Sequence, residues 1–211
     1  MGDDQTILVV EKDLLFGNGN DYFQGFRKAG QVDYERRILE GRRWMWRGIA
    51  EENQHFKQPI PYAMIVNPFE QKVFAFKRAK KGKYDEKRLQ DKWSWGVGGH
   101  VEPSDQAENP LEAGFLREIG EEVEIVGTII GKSVVGYIND DLDDVGKVHF
   151  GLLYVVETNG ILITPKDPEI AEGRLMDVSE LSQMCEAADI IVENWSRIAL
   201  NPLEAYLRQA S

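Results

Sequence analysis

Between Gly98 and Ile125 the chain reads GGHVEPSDQAENPLEAGFLREIGEEVEI, and this stretch constrains the rest. Its diglycine lets the backbone turn with positive φ or pass close to another segment. Asn109 is a good helix N-cap, Pro110 suits the first helical position, and Glu112 completes an Asn-x-x-Glu variant of the capping box. The predicted helix ends in Arg117-Glu118 and Glu121-Glu122. Positions i, i+3 and i+4 share a helix face, so Glu118, Glu121 and Glu122 converge on one surface. Three like charges there repel one another and weaken the helix. A divalent cation reverses the sign of that interaction, because hard cations such as Mg2+ take carboxylate oxygens. Leu116, Ile119 and Val123 form an apolar stripe away from Glu118, suited to packing on a sheet.

These residues resemble the Nudix box, G-x5-E-x7-R-E-U-x-E-E-x-G-U with U apolar. Gly99 matches the first Gly, Arg117 to Glu122 matches R-E-U-x-E-E, and Ile125 matches the final U. Asp105 stands at the first Glu, the segment from Asp105 to Arg117 is four residues longer than the pattern, and Glu124 replaces the last Gly. The extra residues fall before Asn109, so they lengthen the loop and leave the helix intact. The approach WSWGVGGHV (93–101) and the segment QPIPY (58–62) are also Nudix-like. The resemblance implies an α+β protein with the Nudix α/β/α sandwich and a mixed β-sheet. It covers roughly residues 58–190. The expected organisation is an N-terminal extension over 1–57 and a Nudix hydrolase domain over 58–211.

The net charge is −11. That argues against general nucleic-acid binding, which needs basic surface to neutralise phosphates. An acidic protein acting on a phosphate substrate needs a local cation, and the box carboxylates would supply its ligands. No apolar run approaches the roughly 20 residues that span a bilayer. The N-terminus has neither a basic start nor an apolar core, so no secretory signal is expected there. Met1-Gly2 with Thr6 fits the loose myristoylation pattern, but two acids follow Gly2. The single Cys185 excludes an internal disulfide, and the expected compartment is the cytoplasm.

Along the chain, Gln5 to Glu11 reads as a strand and Asp13 to Gly30 as irregular. Val32 to Glu52 holds five arginines with Trp44 and Trp46. Amphipathic packing with Trp inward and Arg outward is the favoured reading, and stacking on a base is the alternative. Pro61 to Asn67 and Lys72 to Lys77 read as antiparallel strands. The basic loop RAKKGKYDEK (78–87) could steer a polyphosphate. Lys92 to Val97 reads as a strand on which Trp93 and Trp95 share a face, and Val123 to Ile138 as one long or two short strands. NDDLDD (139–144) fails the EF-hand pattern and reads as an exposed acidic loop. Strands follow at Lys147 to Thr158 and Ile161 to Thr164. Asp177 opens a helix, and a last helix runs from about Ala188 to Gln209, broken near Pro202. Strands, helix, strands and helix in that order give α+β patterning.

The resemblance also implies the chemistry: a pyrophosphohydrolase in which water attacks phosphorus and a phosphoanhydride breaks. Mg2+ or Mn2+ would neutralise charge spreading over the nonbridging oxygens and lower the pKa of the attacking water. Gly99 (through its carbonyl), Glu118, Glu121 and Glu122 are the implied metal ligands. Arg117 would hold Glu121 or Asp105 and orient the ligands. The general base is Glu118 or a carboxylate of the later loop PKDPEIAE, with Glu169 first and Glu172 second. His100, Trp95 and Arg78 are candidate substrate contacts. His55 and His149 lack metal spacing with His100, and no zinc pattern is present. Cys185 reads as a buried structural thiol. The expected partner is then a small diphosphate, with no membrane, and a homodimer is the candidate assembly. The competing class is a non-catalytic Nudix-fold sensor of a nucleotide or sugar phosphate.

Overall fold

Residues 56–67, FKQPIPYAMIVN, form the strand from which the fold is best understood. Every residue after Phe56 is buried, and from Pro59 to Val66 the strand reads as a continuous apolar run instead of an alternation. It contains two prolines, which have no N–H for a ladder. Pro59 and Pro61 are two residues apart, so both missing donors fall on the same edge. The other edge keeps its bonds, as in Gln58 N donating to the Val148 carbonyl at 2.7 Å.

The computed structural model describes residues 4–80, 89–105 and 107–209. The strands are β1 (Thr6–Glu11), β2 (Gly25–Lys28), β3 (Arg43–Trp46), β4 (Phe56–Asn67), β5 (Lys72–Arg78), β6 (Trp93–Ser94), β7 (Val123–Val126), β8 (Ile129–Asn139), β9 (His149–Thr158), β10 (Leu162–Pro165) and β11 (Ile170–Asp177). The helices are α1 (Lys12–Leu15), α2 (Tyr34–Gly41), α3 (Arg47–Ala50), α4 (Pro110–Glu122), α5 (Val178–Glu186) and α6 (Asn194–Gln209). The class is α+β with a large mixed sheet, as the sequence led us to expect. The chain divides into two compact units, and β4, α4, β8 and β9 each contribute residues to both.

The first unit comprises residues 1–62, 98–117 and 136–153. β1 lies antiparallel to β3, with Leu8 opposite Trp44, and continues onto β4 at Val10 and Lys57. β2 pairs with the end of β8, Phe26 opposite Ile138. Its core is aromatic. Phe16 meets Phe23, Tyr34 and Phe150 edge to face, and Tyr137 stacks on Phe150 with ring centroids 5.8 Å apart. Such pairs each contribute about 0.5–1.5 kcal/mol beyond area burial. The 13–30 segment, which has no sequence period, thus holds its place through Phe16 and Phe23. Trp44 and Trp46 correct the expectation of inward tryptophans: both are exposed, because they alternate along β3 with Met45, and it is Met45 that packs against Ile7, Val9 and Ala50.

The second unit comprises residues 63–97, 118–135 and 154–211. β5 is flanked by β11 and β4, with Phe74 opposite Leu175 and Val66 opposite Val73. The short β6 pairs with β5, so the expected 92–97 strand is limited to Trp93 and Ser94. β7 and β10 make a separate two-stranded sheet, and Gly127 at φ 155° falls in the break between β7 and β8. Asp177 and Glu180 close a reciprocal capping box at α5. α6 runs through Pro202 without the expected break. Proline removes one helical hydrogen bond, and burial of Ala199, Leu203 and Leu207 holds the apolar face despite that loss.

Candidate active site

α4 begins where expected. The Asn109 side chain accepts from Leu111 N at 3.1 Å and Glu112 N at 3.3 Å. Its buried face is Leu111, Phe115 and Ile119, spaced i, i+4, i+8. Leu116 lies one position around the helix from that row and is exposed, so it leaves the expected stripe, while Ile119 and Val123 remain buried.

Before α4, residues Pro103–Asp105 make a 3-10 turn that buries Asp105. Its carboxylate accepts Arg117 Nε at 2.9 Å, Arg117 Nη2 at 3.0 Å and the Glu102 backbone N–H at 2.8 Å. Arg117 Nη2 also donates to the His100 carbonyl at 2.8 Å. One guanidinium thereby ties the turn after the diglycine to the helix. Bidentate charge-assisted bonds of this kind fix direction as well as energy. Of the two partners considered for Arg117, Asp105 is engaged.

Gly98, rather than Gly99, shows why the diglycine is needed. It has φ 155°, and a Cβ there would stand 1.8 Å from the Pro61 carbonyl oxygen. The edge of β4 that its prolines leave without donors is where the Gly98 backbone passes.

The last turn of α4 belongs to the second unit. Glu118 and Glu122 are half-buried and one turn apart, and Glu121 is exposed beside them. Residues 166–169 are tied to this helix end. Lys166 N donates to the Glu122 carbonyl at 2.8 Å and Asp167 N to the same oxygen at 3.3 Å. The Lys166 ammonium reaches the Gly120 carbonyl. The final carbonyls of a helix lack intrahelical partners and sit at its negative end, so N–H groups and a cation are the partners that suit them. Half-buried Glu169, whose N–H bonds to Asp167 Oδ1 at 2.7 Å, is thus held on a loop docked to the box helix. Glu172 is exposed on β11. The carboxylate donors on the last turn of α4 suit a hard divalent cation such as Mg2+ or Mn2+.

Two expected substrate contacts are otherwise engaged. Trp95 is fully buried, so neither ring face is open to a base, and its backbone N–H donates to Ser196 Oγ at 3.1 Å. Arg78 is buried with Nε 2.7 Å from Glu193 Oε1, a partner the sequence did not single out. Lys81 and Lys83 of the basic loop lie outside the described residues. The acidic loop also differs from expectation. Asp140 is buried and accepts from Gln24 Nε2 at 2.6 Å, while Asp141 holds Lys12 at 2.7 Å and Lys57 at 2.6 Å. Only Leu142 and Asp144 of this loop are exposed. Cys185 is half-buried, and that burial pushes its thiol above the ordinary range.

Sequence spacing gave no relation between His100 and His149, yet the fold joins them. Their Nε2 atoms are 3.2 Å apart. Glu51 Oε1 lies 3.6 Å from His149 Nε2 and 3.9 Å from His100 Nε2. Among the described residues these three form a group whose ligand atoms all lie within 4.8 Å of one another. Gln58, the first residue of the QPIPY segment, places Oε1 2.7 Å from His100 Nε2. Burial first, then the His149, Arg47 and Arg117 charges, hold His100 well below the ordinary histidine range, so its ring is neutral.

Comparison with known proteins follows the same lines. Residues 58–195 match the NUDIX domain family. Over 210 residues the chain is 37% identical to Protein YmaB of Bacillus subtilis (strain 168), covering 95% of this chain and 98% of that one. The crystal structure of Tm1382, a candidate Nudix hydrolase, matches with a TM-score of 0.76 and 26% identity, over 97% of this chain and 100% of the other. The NUDIX domain of Shewanella oneidensis NrtR, solved with ADP ribose, matches with a TM-score of 0.54 over 72% of this chain and 88% of that one. At 14% identity that likeness is one of fold. No helix among the described residues is long and apolar enough to cross a membrane.

Proposed function

The chain belongs to the NUDIX domain family and is a Nudix-type hydrolase, and from that premise we propose that it hydrolyses the phosphoanhydride of a nucleoside diphosphate linked to a second group, using Mg2+ or Mn2+. In this reading residues 58–211 are the hydrolase domain and 1–57 its amino-terminal extension. The observation that carries the proposal is the last turn of α4: Glu118 and Glu122 half-buried on one face, with the Lys166–Glu169 loop docked on the same helix end.

Glu118, Glu121 and Glu122 would hold the divalent cation, which would supply charge neutralisation at the phosphoryl oxygens and a water of lowered pKa. The protein supplies the rest. Arg117, clamped by Asp105, fixes the helix rotation from which Glu118, the next residue, projects. Glu169 takes the proton of the attacking water, and the water oxygen forms its bond to phosphorus as the bridging P–O bond breaks. The leaving phosphoryl group departs with the bridging oxygen.

The test is release of a nucleoside monophosphate from a panel of diphosphates with Mg2+, Mn2+ or chelator present. ADP-ribose, the ligand of the NrtR domain, is the first substrate to try. Glu122→Gln should lower kcat/KM about 100-fold or more. Full activity in both Glu118→Gln and Glu122→Gln, or activity indifferent to chelator, would remove the proposal.

A further inference from the structure

The Glu51–His100–His149 group stands apart from the box carboxylates in its chemistry: two imidazole nitrogens and one carboxylate oxygen, against an all-oxygen set. It is assembled from separate parts of the first unit. Glu51 caps the C-terminal end of α3, His100 follows the diglycine, and His149 opens β9. From these positions we infer that Glu51, His100 and His149 form a second metal site, selective for a borderline transition ion, Zn2+ first.

The distances carry the inference. Zn2+ binds imidazole nitrogen and carboxylate oxygen at roughly 2.0–2.2 Å, so ligand atoms of a tetrahedral shell lie about 3.3–3.6 Å apart. The three distances here are 3.2, 3.6 and 3.9 Å. Small side-chain rotations bring such a set around one ion. The far nitrogen of His149 meets a further requirement. His149 Nδ1 lies 2.6 Å from the Val145 carbonyl, and a carbonyl can only accept, so Nδ1 carries the proton. Nε2 is then the nitrogen that faces the cluster and can offer a lone pair, which is how backbone carbonyls orient metal-bound histidines. Ligation through His100 Nε2 requires the ring proton to sit on Nδ1, leaving the Nε2 lone pair for the ion. The fourth position is filled by water or by the Gln58 Oε1 that already adjoins His100. Arg47 Nε, 3.6 Å from Glu51 Oε1, steadies the carboxylate from the other side.

The donor types set the selectivity. Imidazole favours Zn2+ and its transition-metal neighbours, whereas Mg2+ seeks oxygen and keeps its waters. This site therefore retains its ion in Mg2+ concentrations that would fill a carboxylate site. Once filled, it braces the residue after Gly99 against α3 and β9.

The test uses the full chain, stripped with a chelator and titrated with Co2+ as a spectroscopic stand-in, then with Zn2+. The expected result is the intense visible absorption of tetrahedral Co2+ in the wild type, discharged by Zn2+ and unaffected by a large excess of Mg2+. His149→Ala and Glu51→Gln should each weaken Zn2+ binding by about 100-fold or more. Glu122→Gln should keep the bands, which separates this site from the proposed catalytic one. The weak octahedral spectrum of hydrated Co2+ in the wild type overturns the inference, and that reading does not depend on any variant folding. Bands that survive His149→Ala, or that vanish in Glu122→Gln, overturn it equally.

Discussion

Arg117 and Asp105 face each other in a two-point ion pair, Nε to Oδ1 at 2.9 Å and Nη2 to Oδ2 at 3.0 Å, across a loop longer than the Nudix pattern provides. The carboxylate also accepts the Glu102 N–H, so three donors converge on two oxygens. Asp105→Asn keeps the shape but turns an NH2 group against one of those donors. Breaking a buried charge pair costs about 3–5 kcal/mol. Arg117 keeps the His100 carbonyl and some exposure, so the lower end of that range is expected. Urea denaturation should show the loss as a fall in midpoint with an unchanged slope. A shift below about 0.5 kcal/mol would mean the pair is not what holds the loop.

Gly98 separates collision from backbone strain. Its missing Cβ would stand 1.8 Å from the Pro61 carbonyl, whereas Gly30, at φ 84°, has no heavy atom within 4 Å of the equivalent point. Gly30→Ala should therefore cost only the left-handed penalty, about 1–2 kcal/mol. Gly98→Ala must also displace β4 backbone and should cost at least about 3 kcal/mol. Thermal melts of the two variants compare the effects directly, and equal shifts would contradict the packing described.

Lys57 gives stability a basic-side dependence. Burial lowers its pKa from 10.5 to about 8, against the opposing pull of Asp141. Between those values the unfolded chain holds a proton that the folded chain has released. Stability must then rise with pH across that window, by up to about 3 kcal/mol at 1.36 kcal/mol per unit. Below about pH 8 both states are protonated and the contribution is flat. Lys57→Met removes the titrating group and leaves Asp141 with Lys12. Unfolding free energies of wild type and variant from pH 8 to 10.5 should diverge in slope; parallel curves would show that Lys57 titrates normally.

The contrast between α4 and the histidine cluster marks what could be seen in the amino-acid order. The start of α4 is set by local rules: Asn109 caps, Pro110 enters, and the acids follow at helical spacing. Which apolar residues turn inward depends on the neighbouring surface, and here Phe115 takes the buried place and Leu116 is exposed. Trp44 and Trp46 look inward by composition, yet Met45 between them takes the inner face of β3. NDDLDD looks solvated by charge, yet Lys12 and Lys57 come from distant segments to hold Asp141. Glu51, His100 and His149 have no period or motif in common. Their only sequence signal was indirect: the QPIPY segment supplies Gln58, and Gln58 bonds to His100.

The docked loop after β10 makes the choice between two candidate bases testable. Glu169 lies two residues past Asp167, whose N–H with that of Lys166 bonds to the Glu122 carbonyl, and it is half-buried. Glu172 is exposed and sits in β11 opposite Lys77. A base must be held within hydrogen-bond reach of the water it deprotonates, and removing it costs about 10²–10⁴ in rate. Glu169→Gln should therefore lower kcat by about 100-fold or more with little change in KM. Glu172→Gln should stay within about twofold of wild type, since a surface acid of this kind contributes little. Bound Mn2+ followed by electron paramagnetic resonance should be unchanged in Glu169→Gln, because the residue acts on water and leaves the cation's ligands in place. Loss of Mn2+ binding in that variant would make Glu169 a ligand and return the role of base to Glu118.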